Sequence, residues 1–258
     1  MCRLKSCLVL KDRVFCPDYN SHQQMLEELG IKDDYLGASK IFVRVELMPS
    51  DGVKSLMEPL DRWTLKVDQD VTPEWWDEKA DRQRVEEAVE AWRGKHVFTE
   101  GEHTVETGAI YAFGNAIVGA YGNAIVTAND NAEVRAHECA KICASGNATV
   151  TAFDGTTVKA YDNVTVEAYG NTEVEAFGNA TVKAYNIVTV IACDSATVEV
   201  YNNVTAKAYD NAKVLAYDST RVEAWNGATV KAYDNAIAIY PAQNKAVYPI
   251  GWTIETHE

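Results

Sequence analysis

Residues 129–145 hold the densest group of side chains able to do chemistry. His137-x-Cys139-x3-Cys143 offers an imidazole and two thiols, the ligand types that zinc takes. A closed zinc site needs a fourth ligand, and none stands at a recognisable spacing. Glu133, Arg135, Glu138 and Lys141 add charge to the same zone. Six aspartates next to Gly or Asn-type turn residues, Asp154, Asp162, Asp194, Asp210, Asp218 and Asp234, have the oxygen chemistry of a calcium-binding roll. Such rolls use a Gly-rich nonapeptide with more oxygen ligands per turn. Thr149, Thr165, Thr181, Thr197 and Thr229 recur on a multiple of sixteen residues, a regular array of the kind that matches an ice lattice, but Lys and Glu alternate beside them. Cys2 becomes an N-terminal nucleophile if Met1 is removed, and Ser21 adjoins His22, yet neither has catalytic partners at a known spacing. Each group therefore has a structural reading beside its chemical one. The expectation is a non-enzyme with no cofactor and no resident metal.

Composition narrows the partners. The chain has 258 residues, 47% of them apolar and 24% charged, and a formal net charge of −14. That balance disfavours nucleic acid and anionic lipid as partners. The charge divides evenly, −7 on residues 1–108 and −7 on 109–258. No apolar run approaches the length of a membrane span, and the first residues do not read as a signal peptide. Six cysteines at irregular spacing fit reduced thiols in a cytoplasm.

What must position any site is a repeat. From Phe113 the sequence recurs every eight residues through sixteen octads. Twelve first positions are aromatic, thirteen sixth positions are Val and fourteen eighth positions are Ala. A strict short period marks a solenoid, whose units bury their faces against one another. Positions four to eight alternate as in Val164-Thr165-Val166-Glu167-Ala168, the pattern of a half-buried strand. The preceding Asp/Gly-Asn pair supplies the bend, because those residues tolerate positive φ.

Charge at the seventh position sets the coil length. Like charges stacked on adjacent strands are unfavourable. Three octads per coil would align Arg135, Lys159, Lys183, Lys207 and Lys231, whereas two octads alternate Glu167, Lys183 and Glu199 in one column and Lys159 and Glu175 in the other. The predicted fold is mainly β: a two-sheet β-solenoid of about sixteen residues per coil and about eight coils over 109–240, roughly 35–40 Å long. Its core of Ala and Val is thin. Under this coil Phe153, Tyr169, Tyr185, Tyr201, Tyr217 and Tyr233 form one aromatic ladder, and Tyr161, Phe177, Tyr209 and Trp225, interrupted by Cys193, form a second. The ladder either covers a corner or docks a partner. Its candidate contact residues are Tyr169, Tyr185, Tyr201, Tyr217 and Tyr233. Arg135, His137 and Glu138 join them because Asn129, His137 and Ser145 break the aromatic rule.

Residues 1–108 carry no octad and read as a small α/β head. Cys7–Leu10 and Val14–Cys16 flank Lys11-Asp12-Arg13 as a hairpin. Ser21-His22-Gln23-Gln24 is a capping box, with Gly30 as a stop. Ile41, Val43, Val45 and Leu47 alternate inward on a strand, and Trp63–Val67 is another. Thr72-Pro73 is expected to open a helix over about 73–93, with Trp76, Ala80, Ala88, Val89 and Trp92 on its inner face. This helix, and residues 241–258 at the other end, are expected to cap the solenoid.

The head motifs Arg13-Val14-Phe15-Cys16-Pro17, Asp18-Tyr19-Asn20-Ser21-His22, Phe42-Val43-Arg44-Val45-Glu46, Val67-Asp68-Gln69-Asp70 and Pro73-Glu74-Trp75-Trp76 precede octads of the Val-x-Ala-Tyr-Asp-Asn-Ala type. In this the chain resembles uncharacterised phage and prophage proteins of gut-type bacteria. The octads are more distantly similar to polymer-forming β-helical cytoskeletal proteins. The resemblance implies a phage-related setting, in the host cytoplasm or associated with the particle, and transfers no catalytic or binding residue. The functional expectation is a rigid acidic rod that binds and inhibits a host protein, as an anti-defence factor or duplex mimic. A self-assembling scaffold and an enzyme or metal protein centred on 129–145 are the alternatives.

Overall fold

The computed structural model describes residues 5–33, 38–50, 53–240 and 245–247. The chain divides into two compact units, Met1–Val97 and Phe98–Glu258. No helix among the described residues is long and apolar enough to cross a membrane.

The head is built on an antiparallel sheet. β1 (Lys5–Leu10), β2 (Val14–Phe15), β3 (Phe42–Met48) and β4 (Thr64–Val67) lie in the order β2-β1-β3-β4. All six residues of β1 are buried, because helices cover both faces. On one face Met25 and Leu26 of α1 (His22–Glu28) pack with Leu8, Leu10 and Phe42. Ser21 caps this helix by accepting from the Gln24 N–H at 3.2 Å, and Gly30 follows its end at φ +65°. β3 begins after a short helical turn, α2 (Ala38–Ile41). Ile41 is therefore 50% exposed instead of facing inward, while Phe42, Val43, Val45 and Leu47 are buried.

The long helix, α3 (Glu78–His96), starts later than Pro73. Asp77 is the stronger cap: its carboxylate accepts from the Lys79 and Ala80 N–H groups. Pro73 instead begins a turn in which the Trp76 N–H reaches the Pro73 carbonyl. The later start changes the buried stripe to Asp81, Val85 and Val89, and Ala80 is exposed. Arg82, Arg84 and Arg93 tie α3 to the Trp63, Leu10 and Glu58 carbonyls at 2.7, 2.9 and 2.7 Å.

In the second unit the octads build two sheets of nine and eleven strands, parallel except for Lys245–Val247, which joins the larger one antiparallel. Each octad strand pairs with the one sixteen residues on, as in Thr149↔Thr165 and Thr157↔Glu173. Charge columns alternate as expected, with Glu167↔Lys183↔Glu199 in one sheet and Lys159↔Glu175 in the other. Lys159–Glu175 closes at 2.8 Å and Lys183–Glu199 at 3.7 Å. Inside, the Val and Ala of successive coils stack into one continuous core.

The solenoid has about nine coils, one more than the octad count predicts. Its first strands precede Ala109: β5 (Val97–Phe98) and β6 (Glu102–Val105). β6 is offset by fifteen residues from its partner, Glu102↔Ile117, whereas the next pair is offset by sixteen, Ala109↔Ile125. That one-residue slip breaks the period, and His103 and Val105 in place of Val and Ala hide the Val-x-Ala signature. Of the expected C-terminal cap, Lys245–Val247 pairs antiparallel with Ile237–Tyr240, and the rest of 241–258 lies outside the described residues.

The turns explain the acidic octads. The second residue of the octad is generally left-handed, as at Asp130 (φ 57°), Asp162 (56°), Asp194 (56°), Asp210 (56°) and Asp218 (57°). Its side chain reaches back one coil and accepts from the equivalent backbone N–H. Gly146→Asp162, Gly178→Asp194 and Asn202→Asp218 span 3.1, 3.0 and 2.8 Å. Each carboxylate thus satisfies an N–H that the ladder leaves over. Glycine serves where coils approach too closely. A Cβ on Gly122 (φ +56°) would lie 2.7 Å from the Glu106 carbonyl oxygen.

Asp218→Ala should lower stability by about 1–3 kcal/mol, since it deletes this bond and leaves alanine in a left-handed turn. Asp218→Asn should be nearly neutral, because Asn202 Oδ1 already does this work for the Asn186 N–H. Urea unfolding of both variants checks the pair.

Candidate functional site

The aromatic first positions stand at a corner of each coil, just before the turn. One column is an unbroken stack of eight rings: Tyr121, His137, Phe153, Tyr169, Tyr185, Tyr201, Tyr217 and Tyr233. Centroids lie 4.7–5.3 Å apart with interplanar angles of 4–13°. The spacing follows from the distance between parallel strands. Tyr121 is 37% exposed and the other seven rings are half-buried. The edge of the stack is therefore open to a partner, while its faces are occupied by neighbouring rings.

His137 does not interrupt this ladder. Its imidazole stacks between Tyr121 at 5.0 Å and Phe153 at 4.7 Å. A planar ring of any kind fills the place. Glu138 has φ 60° and accepts from the Gly122 N–H at 2.8 Å, so it replaces the turn aspartate. Arg135 pairs with Glu133 on the same strand at 2.7 Å.

The second column does break. Phe113 is buried, Asn129 is 7% exposed, and the Ser145 hydroxyl donates to Asn129 Oδ1 at 2.5 Å. Tyr161–Phe177 and Tyr209–Trp225 stack on either side of half-buried Cys193. Cys139 and Cys143 are exposed. His137, Cys139 and Cys143 do not form a ligand cluster. Among the described residues the ligating side chains that gather are instead His22, Glu46 and Asp68.

That cluster lies in the head, where α1, β3 and β4 meet. Its ligand atoms fall within 4.8 Å of one another. His22 Nε2 faces the Val45 carbonyl at 3.2 Å and Nδ1 faces Asp68 at 3.4 Å. The set offers one imidazole and two carboxylates to a divalent cation. Lys66 already places its ammonium 3.4 Å from Glu46 and 3.6 Å from Asp68.

A second head cluster lies on the α3 side of β1. The Lys5 ammonium is buried 4.8 Å over the Trp92 ring and donates to the Tyr19 carbonyl at 3.3 Å and to Asn20 Oδ1 at 3.4 Å. It also donates to the Pro17 carbonyl. Burial lowers its pKa. Trp92 stacks on His96, which reaches Asp18 at 3.2 Å. Cys7 and Cys16 lie beside Lys5. Neither head cluster is visible as a spacing motif, because each gathers residues from several elements.

Comparison with protein-family models, curated proteins and solved structures returns no match for this chain.

Two ladder tyrosines, Tyr169 and Tyr201, carry a pH dependence. Burial, the hydrogen bond to Glu199 at 2.9 Å and that carboxylate's charge push the Tyr201 phenol up to about 12. Burial and Glu167 raise Tyr169 in the same direction. The folded state thus holds these protons longer than the unfolded state, whose tyrosines titrate near 10. Stability is complete below about pH 10 and falls as pH rises toward about 12. Tyr201→Phe should make that alkaline decline shallower, as read from thermal midpoints across this range.

Proposed function

We propose that this chain is a non-enzymatic interaction protein whose solenoid is a rigid rod presenting its ladder corner to another protein. The observation that carries this reading is the eight-ring stack from Tyr121 to Tyr233. Aromatic rings held in one geometry lose little entropy on binding and are the side chains that anchor protein interfaces. Arg135 and Glu138 are the near sequence neighbours of His137, one ring in from the Tyr121 end of the stack, and would supply its polar rim. The interior of the solenoid is filled by stacked Val and Ala.

The setting we propose is phage-related, with the rod binding and inhibiting a host protein in the host cytoplasm. It rests on the resemblance of the head motifs and octads. Mimicry of a nucleic-acid duplex has less support than aromatic docking. The turn carboxylates are engaged by backbone N–H groups, and Lys159 and Lys183 pair with Glu175 and Glu199 on the outer faces.

A second reading, self-assembly into a scaffold, draws on one observation. The nine-stranded sheet ends on Thr229–Ala232, which has a strand neighbour on one side only among the described residues. Edge strands of this kind template further pairing.

The test is capture of host proteins on the full chain at moderate salt, beside a Tyr185→Ser/Tyr217→Ser variant, with light scattering of both. A defined host protein retained by the wild type and lost with the variant is the expected outcome. Equal retention would overturn ladder docking. A mass that grows with concentration, without capture, would favour the scaffold.

A further inference from the structure

We propose that Cys7 and Cys16 are a peroxide-reactive thiol pair that closes to a cross-strand disulfide within the head.

The strand register carries the geometry. β1 and β2 are joined through Lys11 and Asp12, with Leu8↔Phe15 and Val9↔Val14 as partners. The same register sets Cys7 opposite Cys16. The Leu10 N–H donates to the Arg13 carbonyl at 2.8 Å, so Leu10 and Arg13 form a hydrogen-bonded pair. Antiparallel pairs alternate in type. Val9·Val14 is then non-hydrogen-bonded, Leu8·Phe15 hydrogen-bonded and Cys7·Cys16 non-hydrogen-bonded. Partners at a non-hydrogen-bonded position have Cα atoms about 4.5 Å apart and side chains on one face. That separation falls within the roughly 4.4–6.8 Å a disulfide spans.

The two thiols divide the work. Cys7 is fully buried, whereas Cys16 is half-buried, so a small oxidant reaches Cys16 first. The Cys7 S–H donates to the Cys16 sulfur, which holds Cys16 below its ordinary pKa, and the Lys5 ammonium acts in the same direction. The same hydrogen bond, together with burial, pushes Cys7 well up. Lys5 stands two residues before Cys7 and shares its face of β1. It is fixed there by the Tyr19 carbonyl, Asn20 and the Trp92 ring.

The chemistry needs one co-reactant, a hydroperoxide. The Cys16 thiolate attacks a peroxide oxygen, the O–O bond breaks, and the departing oxygen leaves as water or alcohol with a proton. Cys16 is then a sulfenic acid. The Cys7 sulfur attacks Cys16, the S–S bond forms, the S–O bond breaks, and the Cys7 proton leaves with the hydroxyl as a second water. Two electrons pass from the thiols to the peroxide.

The test uses the full-length reduced chain, hydrogen peroxide, alkylation of remaining thiols and peptide mapping without reductant. The expected product joins Cys7 to Cys16 with loss of two hydrogens. Cys16 should be consumed about tenfold or more faster than exposed Cys139. In Cys7→Ser the resolving thiol is gone, and a 1,3-dione probe should label a sulfenic acid at Cys16. A Cys16 that reacts no faster than Cys139, or oxidised wild type lacking the 7–16 link, would overturn the proposal. The wild-type map alone decides this, whatever the folding of the variant.

Discussion

Residue i of the solenoid sits directly over residue i + 16, about 4.8 Å away along the backbone hydrogen bonds, and this stacking constrains each position separately. An inward side chain meets a copy of itself above and below and the opposite sheet in front. Only small apolar residues fill such a space without voids, hence Val and Ala. A corner position meets its own kind edge to edge along the stack, so planar rings pile up there. A turn position leaves a backbone N–H over in each coil, and a short acceptor three residues before the strand satisfies the N–H of the coil before.

The same constraint reassigns the acidity. A net charge of −14 suggests a partner with basic surface when it is read as a total. Many of the solenoid's carboxylates have local work instead. Asp162, Asp194 and Asp218 hold N–H groups of the preceding coil, Glu175 and Glu199 pair with lysines, and Glu167 and Glu199 accept from tyrosine hydroxyls. Exposed ion pairs contribute about 0–1 kcal/mol each, whereas a stacked aromatic pair adds about 0.5–1.5 kcal/mol beyond its buried area. Seven successive ring contacts along one corner therefore matter more to the rod's rigidity than its outer charge pairs.

Coil length was legible in the octads because stacking charges on strands has a sign, and the signs at Lys159, Glu175, Lys183 and Glu199 permit one period only. The first coil was not legible, since one residue fewer between Glu102 and Ala109 shifts the phase. His137 looks like a gap in a pattern of Phe, Tyr and Trp, while the stack responds to ring shape. In the head, Pro73 gave a plausible helix start, yet Asp77 offered two hydrogen bonds and set the phase. The His22–Glu46–Asp68 cluster depends on which elements become neighbours, which sequence spacing does not report; the Cys7–Cys16 pair lies in a hairpin that is legible, but its register depends on Arg13 pairing with Leu10 instead of joining the loop.

The sixteen-residue stack is tested most directly by cross-linking outward-facing cysteines. Thr165→Cys/Thr181→Cys places the thiols on directly paired positions of adjacent coils. Thr165→Cys/Thr189→Cys places them in different sheets. Under mild oxidation, with peptide mapping to identify the linked residues, the first variant should cross-link within the chain and the second should not. Cross-linking of the second pair, or failure of the first, would contradict a coil of two octads.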